Sequence, residues 1–288
     1  MTEFAGRLTP ARPDLAARRL LGRVTAGRFA DGGRRRVTAA LLDLRLAADP
    51  TAGLATQLLH GEAFTVYEMR DDGLAWGQAE ADGYVGYVAA AGLGAPAPGR
   101  ARRVSAIWSH RYAAPAVKAR VIGELPFLAE VAAEGEGEGF VALADDGFVP
   151  AAHLAPLAGD AVDAAMRFLG APYLWGGRSA RGLDCSALVQ LSHMAAGVPA
   201  PRDSDMQAAL LGVDLPADAP ARRGDLVFWR GHVGMMVDAE TLLHANAHHM
   251  AVALEPLAAA VARIEAGGGG SVTGRRRPVP GTGGATRS

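Results

Sequence analysis

The sequence contains one cysteine, Cys185, and one lysine, Lys118. A single cysteine excludes an intramolecular disulfide, so the chain is not a small secreted scaffold held together by such bonds. The thiol is therefore either a buried packing group or a reactive one.

Long apolar runs and a strong net charge are also absent. No stretch approaches the roughly 18 consecutive apolar residues of a membrane helix, and the first residues lack a basic segment followed by an apolar one. The formal net charge is −1 and the arginines are scattered, which argues against binding to nucleic acid or anionic lipid. We therefore expect a cytoplasmic protein with neither nucleic acid nor a membrane as a partner.

The length of 288 residues allows two or three domains. Residues 1–49 are rich in Arg and Ala and are interpreted as an extension, helical or stranded, packed on the rest. Residues 50–97 alternate apolar and polar residues in short segments separated by Asp-Gly turns, which predicts a small β-barrel. The predicted strands are Ala63–Glu68, Leu74–Ala79 and Tyr84–Val88.

A second β-barrel is predicted over residues 98–158, after a segment rich in Pro and Gly. Its predicted strands are Val104–Trp108, Phe127–Val131, Gly139–Leu143 and Gly147–Pro150.

Residues 159–265 combine helical and strand patterns. One helix is predicted from the N-cap Asp160 to Gly170, and another from Cys185 to Gly197. Strands follow at Asp225–Trp229 and His232–Val237, so the expected fold class is α+β. The Gly-rich and Arg-rich residues 266–288 predict a flexible tail.

Cys185 is placed by this pattern in the first turn of a helix. The free N–H groups and the positive end of the helix dipole stabilise a thiolate there. The position predicts a nucleophile with a low pKa.

Two histidines follow in a predicted hairpin. If Val237 pairs with Thr241, His232 lies opposite Asn246 and His244 is one diagonal step away on the same face. A cysteine, a histidine and a third polar group form the arrangement that nucleophilic acyl transfer requires. The register leaves both His244 and Asn246 open as the third group.

Several blocks of residues 161–263 resemble the NlpC family of cell-wall cysteine peptidases, which have a papain-like fold reduced to its core. The resemblance implies that Cys185 is the nucleophile, His232 the general base and acid, and His244 the orienting residue. It also implies an oxyanion hole formed by Tyr173 and the backbone N–H of Cys185. The blocks are Gly170–Gly177, Leu183–Gln190, Pro201–Gln207, Gly224–Trp229, His232–Gly234 and Leu243–Ala245.

The two barrels resemble bacterial SH3-type domains, and the complete order is similar to a subgroup of endopeptidases that cleave between γ-D-glutamate and an L-diamino acid. In that subgroup the first barrel admits peptides with a free N-terminal L-alanine. The resemblance implies that Glu62 and Tyr84 bind this amine, with Tyr87 as the alternative tyrosine. It further implies that the cleft is lined by Asp184, Ser186, Asp203 and Ser204.

The leading hypothesis is a peptidase that acts on free peptidoglycan stem peptides. The alternatives are an amidase or acyltransferase on another amide or ester, and a non-catalytic protein that binds wall peptides. No cofactor or metal is expected, because the other histidines lack ligand spacing. His248 and His249, as neighbours on a strand, would point to opposite faces.

Overall fold

The computed structural model describes residues 5–49, 51–137, 139–157 and 159–279. The chain divides into two compact units, Met1–Pro156 and Leu157–Ser288. The first consists mainly of strands and the second combines helices with a sheet, so the α+β prediction is confirmed. Among the residues with a described structure, no helix is long and apolar enough to cross a membrane.

The first unit begins with helix α1 (Ala5–Leu8) and a parallel pair of strands, β1 (Leu15–Ala17) and β2 (Arg28–Ala30). Seven strands then form an antiparallel sheet in the order β5-β4-β8-β7-β6-β3-β9. Its core contains Leu44 and Phe64, which are fully buried. The strands are β3 (Gly33–Val37), β4 (Leu41–Arg45), β5 (Thr56–Leu59), β6 (Ala63–Met69), β7 (Leu74–Ala79), β8 (Val85–Ala89) and β9 (Leu93–Gly94).

The boundary predicted between residues 49 and 50 is wrong. Strand β4 pairs with β5 from Leu41 opposite Leu59 to Leu44 opposite Thr56, so main-chain hydrogen bonds join the two sides of that boundary. Strand β3 likewise pairs with β6. Part of the supposed extension therefore consists of strands of the first sheet.

A six-stranded sheet follows, in the order β10-β13-β14-β15-β11-β12. The prediction of a strand at Val104–Trp108 is wrong, because Val104 lies between two strands and exchanges main-chain hydrogen bonds with Leu128 and Ala129. Val104 is nevertheless fully buried, which explains the misleading pattern. The strands are β10 (Arg100–Arg103), β11 (Trp108–Tyr112), β12 (Val121–Pro126), β13 (Glu130–Glu136), β14 (Phe140–Leu143) and β15 (Phe148–Pro150).

The second unit packs helices against a six-stranded antiparallel sheet in the order β18-β23-β19-β20-β21-β22. Helix α3 contacts α2, β20 and β21. The helices are α2 (Ala161–Met166), α3 (Cys185–Ala195), α4 (Ser204–Leu210) and α5 (Leu257–Ala266). The strands are β16 (Arg178–Ser179), β17 (Gly182–Leu183), β18 (Val213–Asp214), β19 (Leu226–Trp229), β20 (His232–Met236), β21 (Thr241–Asn246), β22 (Ala251–Pro256) and β23 (Gly274–Arg277).

The predicted flexible tail is also corrected. Strand β23 lies inside the sheet, where it pairs with β18 on one side and β19 on the other. Arg277 forms two hydrogen bonds with the carboxylate of Asp225, which is 0% exposed. A buried carboxylate requires such a partner, so this segment is part of the fold. Residues 280–288 of the predicted tail lie outside the described part of the chain.

Candidate active site

Cys185 is the first residue of helix α3, as predicted, and is 7% exposed. Asp184 is the N-cap, and its Oδ1 accepts a hydrogen bond of 2.8 Å from the backbone N–H of Ala187. Such a cap satisfies one of the free N–H groups of the first turn. The helix therefore starts where the local sequence requires and presents the thiol at its N-terminus.

Asp184 is also held by Arg202, a residue for which the sequence pattern predicted no role. The two terminal nitrogens of Arg202 donate to the two carboxylate oxygens at 2.9 and 2.7 Å. Ser186 accepts from Arg202 and donates to Asp184, and the backbone N–H of Gly176 donates to Asp184. The side chains of Asp184 and Ser186, predicted to contact substrate, thus form a buried network that fixes the loops around Cys185.

Burial, together with the negative charge of Asp184, raises the pKa of the Cys185 thiol to about 12. Hydrogen bonds from the backbone of Val233 and Ser186 act in the opposite direction. The predicted low pKa is therefore wrong for the free protein, because loss of hydration outweighs the helix terminus. The resting group is a neutral thiol.

The hairpin of β20 and β21 has the predicted register, with Met236 opposite Leu242. His232 Nε2 lies 2.9 Å from His244 Nδ1. Asn246, the other open possibility, uses its side chain elsewhere: its Oδ1 accepts from the backbone N–H of His249, and its Nδ2 donates to the carbonyl of His244. The structure thus brings His232 and His244 together.

Both imidazoles are neutral near pH 7. Burial, together with the neighbouring His244, lowers the pKa of His232 to about 3. Burial also lowers the pKa of His244 to about 4, although Glu255 opposes this shift. A neutral His232 has one nitrogen with a lone pair and can accept a proton.

Glu255 and Arg263 extend this chain of side chains, and sequence reasoning missed both. Glu255 Oε2 lies 3.1 Å from His244 Nε2, and Arg263 donates to both oxygens of Glu255. The signal in the sequence that could have found Glu255 is the third strand, which follows the hairpin. Because His244 pairs with Ala253, Glu255 is its diagonal neighbour on the same face.

Tyr173 is half-buried and its backbone N–H donates to the carbonyl of Met250. Burial, with smaller contributions from the neighbouring Cys185 and Asp184, raises the pKa of Tyr173 to about 12. The phenol therefore keeps its proton and lies within electrostatic reach of the thiol. It is suited to donate a hydrogen bond to a developing negative charge.

Asp203, Ser204, Glu62 and Tyr84 are the other residues predicted to bind substrate. Asp203 is the N-cap of α4 and Ser204 its first residue, and both are half-buried. In the first unit, Glu62 is buried and its Oε2 accepts from the backbone N–H of Leu59 at 2.9 Å. Tyr84 is buried in the core of the first sheet. Binding of substrate by these residues stays a prediction.

A possible metal-ligand group includes a residue that the sequence reasoning excluded. His248 and His249 lie in a turn, not on a strand, so the reason given for excluding them is wrong. Ligand atoms of His244, His249 and Glu255 lie within 4.8 Å of one another. The carboxylate, however, is already neutralised by the guanidinium of Arg263, which would repel a cation at the same oxygens.

The second unit thus combines a thiol at a helix N-terminus with a histidine pair on the adjacent sheet. Comparison with known families identifies it further. Residues 170–262 match the NlpC/P60 family, and residues 44–93 match the bacterial dipeptidyl-peptidase Sh3 domain. Residues 170–262 are thus similar to an NlpC/P60 domain and residues 44–93 to a bacterial SH3-like domain.

Two curated relatives match part of the chain. The γ-D-glutamyl-L-lysine dipeptidyl-peptidase of Bacillus subtilis is 38% identical over 117 residues, which are 38% of this chain and 38% of that protein. Dipeptidyl-peptidase 6 of Lysinibacillus sphaericus is 32% identical over 85 residues, which are 30% of this chain and 31% of that protein. The matched part thus spans about a third of the length of these relatives.

Solved structures share the fold over a longer stretch. An NlpC/P60 family protein from Bacillus cereus superposes with a TM-score of 0.72 at 20% identity, over 86% of this chain and 100% of the other. An NlpC/P60 endopeptidase from Photobacterium damselae gives a TM-score of 0.55 at 14% identity, over 84% of this chain and 70% of the other. These likenesses concern the fold alone.

Proposed function

We propose that this protein is a cysteine peptidase that hydrolyses the bond between γ-D-glutamate and an L-diamino acid in free peptidoglycan stem peptides with an N-terminal L-alanine. The observation that carries the proposal is the hydrogen-bonded His232–His244 pair on the sheet against which the helix of Cys185 packs. The name of the Bacillus subtilis relative, a γ-D-glutamyl-L-lysine dipeptidyl-peptidase, supports the choice of bond.

The proposed chemistry follows from the protonation states. Sγ of Cys185 attacks the γ-carbonyl carbon of the substrate while His232 accepts the thiol proton. The negative charge on the former carbonyl oxygen is stabilised by the backbone N–H of Cys185 and the Tyr173 hydroxyl. His232 then gives its proton to the leaving amine, and water attacks the thioester with His232 again as the base. The C–S bond then breaks, the proton on His232 returns to Sγ, and the acid product leaves, so each cycle restores the neutral thiol and the neutral imidazole.

The proposal is tested with a panel of stem peptides and mass spectrometry of the products. We expect L-Ala-γ-D-Glu-meso-diaminopimelate or its L-lysine analogue to yield L-Ala-D-Glu and the free diamino acid. Cys185→Ala should remain folded and abolish the reaction. Unchanged turnover by this variant would exclude the cysteine mechanism.

The N-terminal part of the proposal concerns Glu62 and Tyr84 as ligands for the substrate amine. An N-acetylated tripeptide should react much more slowly than the free one, because it lacks the ammonium group that a carboxylate binds. Equal rates would remove both residues from the site.

Two other functions are outcomes of the same panel. Hydrolysis of a different amide or ester, with the stem peptides left intact, would identify an amidase or acyltransferase. Binding of stem peptides without turnover would identify a wall-binding protein. A cytoplasmic location is also proposed, and cell fractionation tests it.

A further inference from the structure

Glu255 lies at the end of a continuous chain of hydrogen bonds that reaches the histidine pair. Its Oε2 is 3.1 Å from His244 Nε2, and His244 Nδ1 is 2.9 Å from His232 Nε2. His244 is 0% exposed, so its ring has no contact with bulk water. The positions of the protons along this chain therefore depend on the side chains that form it.

The carboxylate determines where these protons lie. An ionised carboxylate only accepts hydrogen bonds, so His244 must carry its proton on Nε2. Neutral His244 then has a lone pair on Nδ1, and His232 must donate to it from Nε2. His232 is left with a lone pair on Nδ1. One carboxylate thus selects the basic nitrogen two rings away.

Arg263 keeps Glu255 in the state that this selection needs. The guanidinium donates from Nε to Oε1 at 3.0 Å and from Nη2 to Oε2 at 2.6 Å. This paired geometry holds the carboxylate in one orientation. It also lowers the pKa of Glu255, so the side chain stays ionised near neutral pH.

We propose that Glu255, oriented by Arg263, is a positioning residue that fixes the tautomers of His244 and His232 and so makes Nδ1 of His232 the base for Cys185. The inference rests on the proposed peptidase function for its catalytic consequence. Its structural part, the position of two protons, holds whatever the substrate is.

Two substitutions of Glu255 distinguish a role in fixing the tautomers from a purely structural role of the Glu255–Arg263 salt bridge. Glu255→Leu removes the acceptor, and a buried N–H without a partner is unfavourable, so the His244 proton moves to Nδ1. His232 then carries its proton on Nδ1 and is blocked as a base. Glu255→Gln also breaks the ion pair but keeps an acceptor oxygen, so the original tautomers persist.

The kinetic test measures kcat and KM on the tripeptide. We expect Glu255→Leu to lower kcat by about 10²-fold or more with little change in KM, since a wrong tautomer in a Ser/His/Asp triad costs about 10⁴-fold. Glu255→Gln should lose no more than about 10-fold. Glu265→Leu, at an exposed position of α5, is the control and should match the native protein. Equal losses in the Leu and Gln variants would overturn the proposal.

The spectroscopic test does not depend on turnover. Nitrogen NMR of protein labelled with ¹⁵N-histidine should show, in the native protein, Nε2 protonated and Nδ1 bare on both rings. A native His232 protonated on Nδ1 would overturn the proposal, even if Glu255→Leu fails to fold. If the native protein does not cleave the tripeptide, the proposed function fails, and the spectrum still decides the role of Glu255.

Discussion

Arg202 and Asp184 form a two-point ion pair directly beside the nucleophile candidate, with both partners buried. Because Asp184 also caps helix α3, this pair connects the segment before α4 to the first turn that carries Cys185. The pair therefore controls both the stability of the unit and the orientation of the thiol.

Arg202→Met should strongly destabilise the second unit. The substitution leaves the Asp184 carboxylate buried without its cationic partner, and such changes cost about 3–5 kcal/mol. Denaturant unfolding measures the loss. The control is Arg223→Met, which breaks exposed ion pairs with Asp160 and Asp163 and should cost less than about 1 kcal/mol. Similar losses in both variants would contradict this role of Arg202.

Strand β23 supplies a second buried pair that can be tested by a mutant cycle. Arg277→Met should destabilise the unit by about 3 kcal/mol or more, because Asp225 is fully buried. Asp225→Asn combined with Arg277→Met should lose less than the single Arg277 variant, since no charge is left unpaired. Additive losses would show that the charge pairing is unimportant.

Tyr173→Phe tests the oxyanion hole. The phenol keeps its proton at neutral pH, so its loss removes one hydrogen-bond donor and should lower kcat by about 10²–10³-fold with a small effect on KM. Tyr112→Phe in the second sheet is the control and should leave both constants unchanged. An unchanged kcat in Tyr173→Phe would exclude this role.

The thiol should react slowly with iodoacetamide in the free protein. Its pKa is raised to about 12, so the thiolate fraction is small at pH 7 and increases steadily with pH. We expect the alkylation rate to rise from pH 7 to pH 10 without a plateau. Unfolded protein is the control and should react faster at pH 8. A plateau below pH 7 would indicate a preformed thiolate.

The sequence predicted those parts of the site that depend on local signals. The start of α3 follows from Asp184 as a cap, and its end from Gly197, which has a positive φ of 76°. The hairpin register follows from the short turn between Val237 and Thr241. Each of these features is determined by residues close together in the chain.

The parts that the sequence did not predict depend on distant pairing or on burial. Arg277 meets Asp225 across 52 positions, and no local pattern shows that a Gly-rich and Arg-rich segment completes a sheet. The pKa of Cys185 was predicted to be lowered and is raised instead, and this error has a similar origin. Helix position was visible in the sequence, whereas the loss of hydration depends on the assembled unit.

The position of β23 has a consequence for how the protein is made. Ribosomes deliver the chain from its N-terminus, so β19 and its neighbours β20 to β22 emerge before the strand that covers the other edge of β19. Until residues 274–277 have been synthesised, Asp225 has no guanidinium and β19 remains an unprotected edge. During that interval nascent chains on one messenger could pair with each other through this edge. The sheet is thus completed only after all of β18 to β22 have been synthesised.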